Sequence, residues 1–139
     1  LYAPGGGNVG DLGNIIKDDD IELIPFNQPV ENFKDDLFNK IDAGISYASC
    51  GVAHTGTLIV KTGPDEPRTM SLVPPVHYVW LDSQLMYSTL TEAFADPEVS
   101  SALPTNLLLI SGPSKTADIQ QTLAYGAHGP KRLIILLVD

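Results

Sequence analysis

Short apolar runs recur along the chain at Ile21–Phe26, Ile45–Ala48, Val76–Leu81, Leu107–Ser111 and Arg132–Val138, with helical or turn-rich segments between them. Brief apolar runs bounded by turn residues are the mark of buried strands. Their alternation with helical segments predicts an α/β fold, a sheet with helices on its faces. None of the runs approaches the roughly 20 apolar residues that cross a bilayer. Thr57–Lys61 adds a small antiparallel region, reached through tight turns at Cys50-Gly51 and Thr55-Gly56, and Thr69–Val73 can return as a strand beside 57–61. Gly63–Pro67 between them reads as an exposed turn with no chemistry in it.

The helical segments are legible by their period. In Pro29–Asp42, Val30, Phe33, Leu37, Phe38 and Ile41 fall three and four residues apart, leaving Glu31, Lys34, Asp35 and Lys40 to face water. Ser88 or Thr89 can cap another helical turn through Leu90, Ala93 and Phe94 to Pro97. Residues 1–20, with Gly5-Gly6-Gly7 and Asp18-Asp19-Asp20, read as loop. The 139 residues make one domain, and a chain that opens at Leu1 without Met reads as part of a longer protein whose front is missing.

Charge and cysteine content bound the partners. A formal net charge of −9 with no basic cluster argues against nucleic acid. One cysteine, Cys50, can form no internal disulfide and cannot hold an iron–sulfur cluster, and a cytoplasmic chain fits it. The three histidines lack the i,i+4 spacing of a helical metal site, so no metal is expected.

The stretch with most chemistry runs from Asn106 to Pro130. Gly112-Pro113 interrupts the strand at 107–111, and Ser114, Lys115 and Thr116 then suit the start of a helix that Gly126 ends. Free backbone N–H groups at Lys115, Thr116 and Ala117, with the Lys115 side chain, favour a phosphate or carboxylate, though the same residues also suit an ordinary capped helix. Gly-Pro-Ser-Lys-Thr lacks the first glycine and the spacing of a P-loop, so nucleotide binding is not implied. Ligands of open α/β sheets bind beyond the carboxyl ends of the strands, which makes the 54–57 turn and the 112–117 loop candidates for one cleft. Its candidate ligand-binding residues are Thr55, Gly56, Thr57, Gly112, Ser114, Lys115, Thr116 and His128, with His54 and Asp118 as candidate catalytic groups. Asp118 equally suits a helix N-terminus, His77 reads as a core imidazole, and Cys50 as a small buried hydrophobe.

Taken in order, Gly44–Thr57, Ser71-Leu-Val-Pro-Pro-Val-His77, Ile110–Ile119 and Gly126-Ala-His-Gly-Pro130 resemble the lactate utilization protein C family and its LUD domain. The resemblance covers roughly residues 44–139. It implies a three-layer α/β/α sandwich of the NagB/RpiA/CoA transferase-like type, and a non-redox component of a system that oxidises L-lactate to pyruvate. Iron–sulfur clusters would then sit on partner proteins, with none in this chain, and a small carboxylate or phosphate could be its ligand. The alternative it implies is an enzyme resembling CoA transferases or sugar-phosphate isomerases, acting on an anionic small molecule. Two departures bear on that alternative: His54 stands where the family usually has Glu, and Gln120 where it has Glu. Imidazole can act as a base but cannot form the acyl intermediate of a nucleophilic glutamate.

Overall fold

The computed structural model describes residues 2–3, 20–26, 35, 39–101, 106–117, 123–125 and 129–139, with 2–3, 115–117 and 123–125 given by backbone course. In chain order these form β1 (Tyr2–Ala3), β2 (Ile24–Pro25), β3 (Ala43–Tyr47), β4 (Cys50–Val52), β5 (Thr57–Thr62) and α1 (Arg68–Leu72). Then come β6 (Val76–Asp82), β7 (Met86–Tyr87), α2 (Leu90–Ala95), α3 (Pro97–Ser100), β8 (Asn106–Ile110), β9 (Lys115–Ala117), β10 (Leu123–Tyr125) and β11 (Arg132–Val138).

One sheet is parallel throughout, in the order β11-β6-β3-β1-β2. A second has the order β7-β4-β5-β8, with β5 antiparallel to both neighbours, and β9 and β10 form a separate antiparallel ribbon. The two larger sheets pack face to face. Along β6 the buried His77, Val79 and Leu81 alternate with half-buried Tyr78 and Trp80, as a period of two requires. Val79 and Leu81 join Leu58 and Val60 of β5 and Ala48 in the core between the sheets, with Leu108, Ile110 and Leu133 against it. The opposite face of the second sheet buries Cys50, Val52 and Ile59 under Ala93 of α2 and Val99 of α3. Thr89 caps α2 in a capping box with Glu92, and Asp96 caps α3 while accepting a hydrogen bond from the Tyr87 hydroxyl at 2.6 Å.

The α/β class holds, and the antiparallel region exists, but several elements differ from expectation. Thr69–Val73 is helical rather than a strand: β4 and β8 fill both edges of β5, and Met70 turns into the core while Pro74 and Pro75 stop the helix. Cys50-Gly51 belongs to a strand, and the turn falls at 53–56. The run at 107 joins the antiparallel sheet instead of the parallel one, because its alternation places Leu108 and Ile110 on the inter-sheet core. Tyr2–Ala3, read as loop, is a strand between β2 and β3. The helix foreseen at 29–42 lies outside the described residues except for helical Asp35 and Asn39 and the segment from Lys40.

The helix foreseen after Ser114 is replaced at Lys115–Ala117 by a strand paired with Leu123–Tyr125. Ser114 N–H donates to Pro130 C=O at 2.8 Å, so the segment starts pinned beside the entrance to β11.

Candidate functional site

Gly44 sets the site's floor. A Cβ there would lie 2.5 Å from the Met70 carbonyl oxygen and 3.1 Å from Pro74, so the absence of a side chain lets α1 lie directly on β3. That contact brings Ser71 of α1 against Ser46 of β3 and His77 of β6. Ser46 Oγ lies 2.9 Å from His77 Nε2 and 3.2 Å from Ser71 Oγ, and all three residues are buried. Behind them the Glu66 carboxylate accepts the Tyr47 N–H at 3.2 Å and a hydrogen bond from the Ser46 side chain.

The donors and acceptors can be assigned. An ionised Glu66 only accepts, so the Ser46 hydroxyl hydrogen turns to it, and Ser46 Oγ accepts from His77 Nε2–H and from Ser71. The second ring nitrogen of His77, Nδ1, then carries the lone pair. Burial lowers the His77 pKa from 6.5 to about 4, which keeps the imidazole neutral at pH 7. Burial also raises Glu66 from 4.5 to about 7, against the opposing pull of the Tyr47 N–H and Ser46 hydroxyl hydrogen bonds. A neutral imidazole coupled through a serine to a carboxyl poised near neutrality can move protons at physiological pH.

His77 and Ser71 line a cavity of about 240 Å³ together with Leu133, Ile110 and the loops carrying Ser111, Gly112, Ser114, Gly129 and Pro130. From Ser111, one of the lining residues, a ladder of hydroxyls runs away from the cavity: Thr57 Oγ1 to Ser111 Oγ at 2.9 Å, and Thr55 Oγ1 to Thr57 Oγ1 at 2.7 Å. Gly56 (φ 60°) makes the turn before Thr57, and Gly112 (φ 151°) redirects the chain after Ser111, both with positive φ. A larger cavity of about 540 Å³ lies against the other face of the parallel sheet, walled by Ile24, Ile41, Ile45, Tyr78 and Leu136. The smaller one joins hydroxyls to a buried imidazole and is the better candidate.

The turn at 54–57 and the loop after 111 meet through Thr57 and Ser111, and Gly112 and Ser114 are among the residues that line the cavity. The cavity sits at the amino end of β6 and β11, because His77 is the second residue of β6 and Leu133 the second of β11. Ile110, Ser111, Gly112 and Ser114 place the same cavity beyond the carboxyl end of β8, which runs antiparallel to β5 in the second sheet. His54 is exposed in its turn, outside the cavity lining. Lys115 and Thr116 pair with Tyr125 and Ala124 in the ribbon, so their backbone N–H groups do not form a helix N-terminus. Asp118 and His128 lie outside the described residues.

Glu66, Ser46, Ser71 and His77 escaped the sequence reading as functional groups. Glu66 belongs to a turn that looked purely exposed. Ser46 and His77 carried a signal, since each is polar at the buried phase of a strand, where only a hydrogen-bonded group is tolerated. Cys50 is buried in the second core, and burial pushes its thiol pKa up, which makes it unreactive. Among the described residues no cluster of three or more His, Cys, Asp or Glu could hold a metal, and no helix is long and apolar enough to cross a membrane.

A parallel sheet stacked on a mixed one, with a cavity lined by residues of both, defines an α/β domain whose candidate site lies where the two sheets meet. The chain belongs to the LUD domain family, whose model matches residues 11–138. It is 52% identical over 124 residues to an uncharacterized protein of Neisseria meningitidis serogroup B, a match covering 88% of this chain and 53% of that one. It is 30% identical over 107 residues to lactate utilization protein C of Oceanobacillus iheyensis, and 32% identical over 108 residues to the protein of that name from an Exiguobacterium species. Each of these matches covers 74% of this chain and 46% of the relative, so the chain spans about half the length of the curated relatives it matches. The crystal structure of a DUF162 family protein from Deinococcus radiodurans shares the fold, with a TM-score of 0.57 at 19% identity over 100% of this chain and 87% of that one.

Proposed function

We propose that this chain is a component of a bacterial L-lactate utilization system, in which it binds a small organic acid and leaves electron transfer to iron–sulfur partner proteins. The observation that carries the reading is the 30% and 32% identity to two proteins named lactate utilization protein C, over 74% of the chain. The cavity supports the ligand part: about 240 Å³ is room for a small acid, and its hydroxyls and imidazole suit a carboxylate. The division of labour is supported by the cysteine count of these 139 residues, whose one cysteine is buried in packing and cannot by itself ligate a cluster.

The test is growth. Deleting the gene should abolish or slow growth on L-lactate while leaving growth on pyruvate intact, and the full-length gene should restore it. Unchanged growth on L-lactate after deletion overturns the proposal.

A further inference from the structure

Building on the reading of the cavity as a site for a small organic acid, we infer that binding is coupled to proton uptake: as the acid's carboxylate enters beside Ser111 and Ser114, His77 Nδ1 takes one proton from solvent and Glu66, through Ser46, supplies the counter-charge.

The argument starts from what surrounds His77. Ser46 of β3, Ser71 of α1, Leu133 of β11 and Ser111 of the loop after β8 bond to it or line the cavity with it. Its one assigned hydrogen bond uses Nε2, so Nδ1 is where a new N–H bond can form. The charged groups on the elements around it are Glu66, Arg68 at the start of α1, Asp82 at the far end of β6, and Lys131 and Arg132 at the entrance to β11. The last four are exposed, whereas Glu66 is joined to the imidazole by a hydrogen-bonded serine.

A carboxylate moved from water into a low-dielectric cavity loses its hydration and needs a positive partner there. Protonating His77 supplies one, and the chain behind it is already oriented for the result. The imidazolium donates at Nε2 to Ser46, whose hydroxyl donates to Glu66, so a cation on the ring faces an anion at each end. In the empty site burial alone keeps His77 neutral, and the entering anion is what reverses that preference. With Glu66 ionised, as it is above about pH 7, one proton bound and one N–H bond formed per acid molecule complete the step. Below that pH the O–H bond of Glu66 breaks as the N–H bond forms and net uptake falls, with no change in oxidation state in either case.

The experiment is calorimetric titration of the full-length protein with L-lactate, and separately with pyruvate, in two buffers of different ionisation enthalpy between pH 6 and 8. Uptake approaching one proton per acid is expected at pH 8, where Glu66 is already ionised, with affinity there rising by up to about tenfold per pH unit of acidification. Less uptake is expected at pH 6, where Glu66 gives up its own proton as His77 takes one. His77→Gln should abolish the uptake and leave affinity flat with pH, and Glu66→Gln should weaken binding about tenfold at pH 8, where the wild-type carboxyl is ionised, by removing the counter-charge. Binding without uptake in the wild type at pH 8, or full uptake retained there in His77→Gln, overturns the coupling. Failure of both acids to bind at any pH overturns the cavity as an acid site, while the growth assay judges the lactate reading separately.

Discussion

Two histidines occupy opposite kinds of place in this domain. His54 stands in the glycine-containing turn between β4 and β5, exposed, its backbone N–H donating to Ser88 C=O at 3.1 Å. His77 sits at 1% exposure in the second position of a central strand, held by Ser46. The turn had every local mark of a functional loop, and the strand had those of packing. What separates them is the company that the fold brings to each: the turn projects its ring into water, while the strand delivers its ring to a cavity that α1, β8 and β11 complete. A site in an α/β domain is made by convergence, and convergence is not a local property.

The strongest way to break the contrast is to lift α1 off the inner cluster. Gly44→Ala forces a methyl against the Met70 backbone carbonyl, and overpacking of this kind costs roughly 3 kcal/mol. Urea unfolding measures the loss, and a cost near zero would show that Ser71 and His77 are not held by that contact.

The pH dependence of stability sharpens the comparison further. His77 has a folded pKa below its unfolded value, so its contribution is complete above about pH 6.5 and is lost as pH falls towards 4. Glu66 has a folded pKa above its unfolded value, so its contribution is complete below about pH 4.5 and is lost as pH rises through 7. Between pH 4.5 and 6.5 the two slopes oppose each other and the wild type should be nearly flat from this pair. His77→Gln should make stability fall with rising pH there, and Glu66→Gln should make it rise, each by about 1 kcal/mol per pH unit. Parallel profiles for the two variants would dissolve the pair as an energetic unit.

The smallest effect belongs to the outer histidine. His54→Ala should change stability by less than about 0.5 kcal/mol and leave growth on L-lactate unaltered. A clear growth defect would return the turn to the site.

The sequence carried the α/β class because buried strands need only their own apolar runs and bounding turns to be seen. It also brought the turn at 54–57 together with the loop after 111, and Thr57 and Ser111 do touch. It misread Thr69–Val73 because a β-branched pair favours a strand only while a sheet edge is open to receive it, and β8 had already taken that edge. Ser114 and Thr116 looked like helix caps because their hydroxyls suit caps and turns alike, and the choice was made at a distance by Pro130. Glu66 could not be read at all. A carboxylate in a Gly-Pro-Asp-Glu-Pro turn gives no sign that Tyr47, 19 residues earlier, will present its amide to it.

The hydroxyl ladder that ends at Ser111 has a kinetic side. Thr57 and Ser111 are 54 residues apart, His77 and Ser46 are 31 apart, and Ser46 and Ser71 are 25 apart. Each of these contacts closes a long loop before it returns any energy, and the β5–β8 pairing that carries the ladder spans β6, α2 and α3 on the way. Local units such as the capped α2 and the β4–β5 pairing carry no such toll. The cavity is thus assembled from contacts with high contact order, so its completion waits on the search that brings distant parts of the chain together.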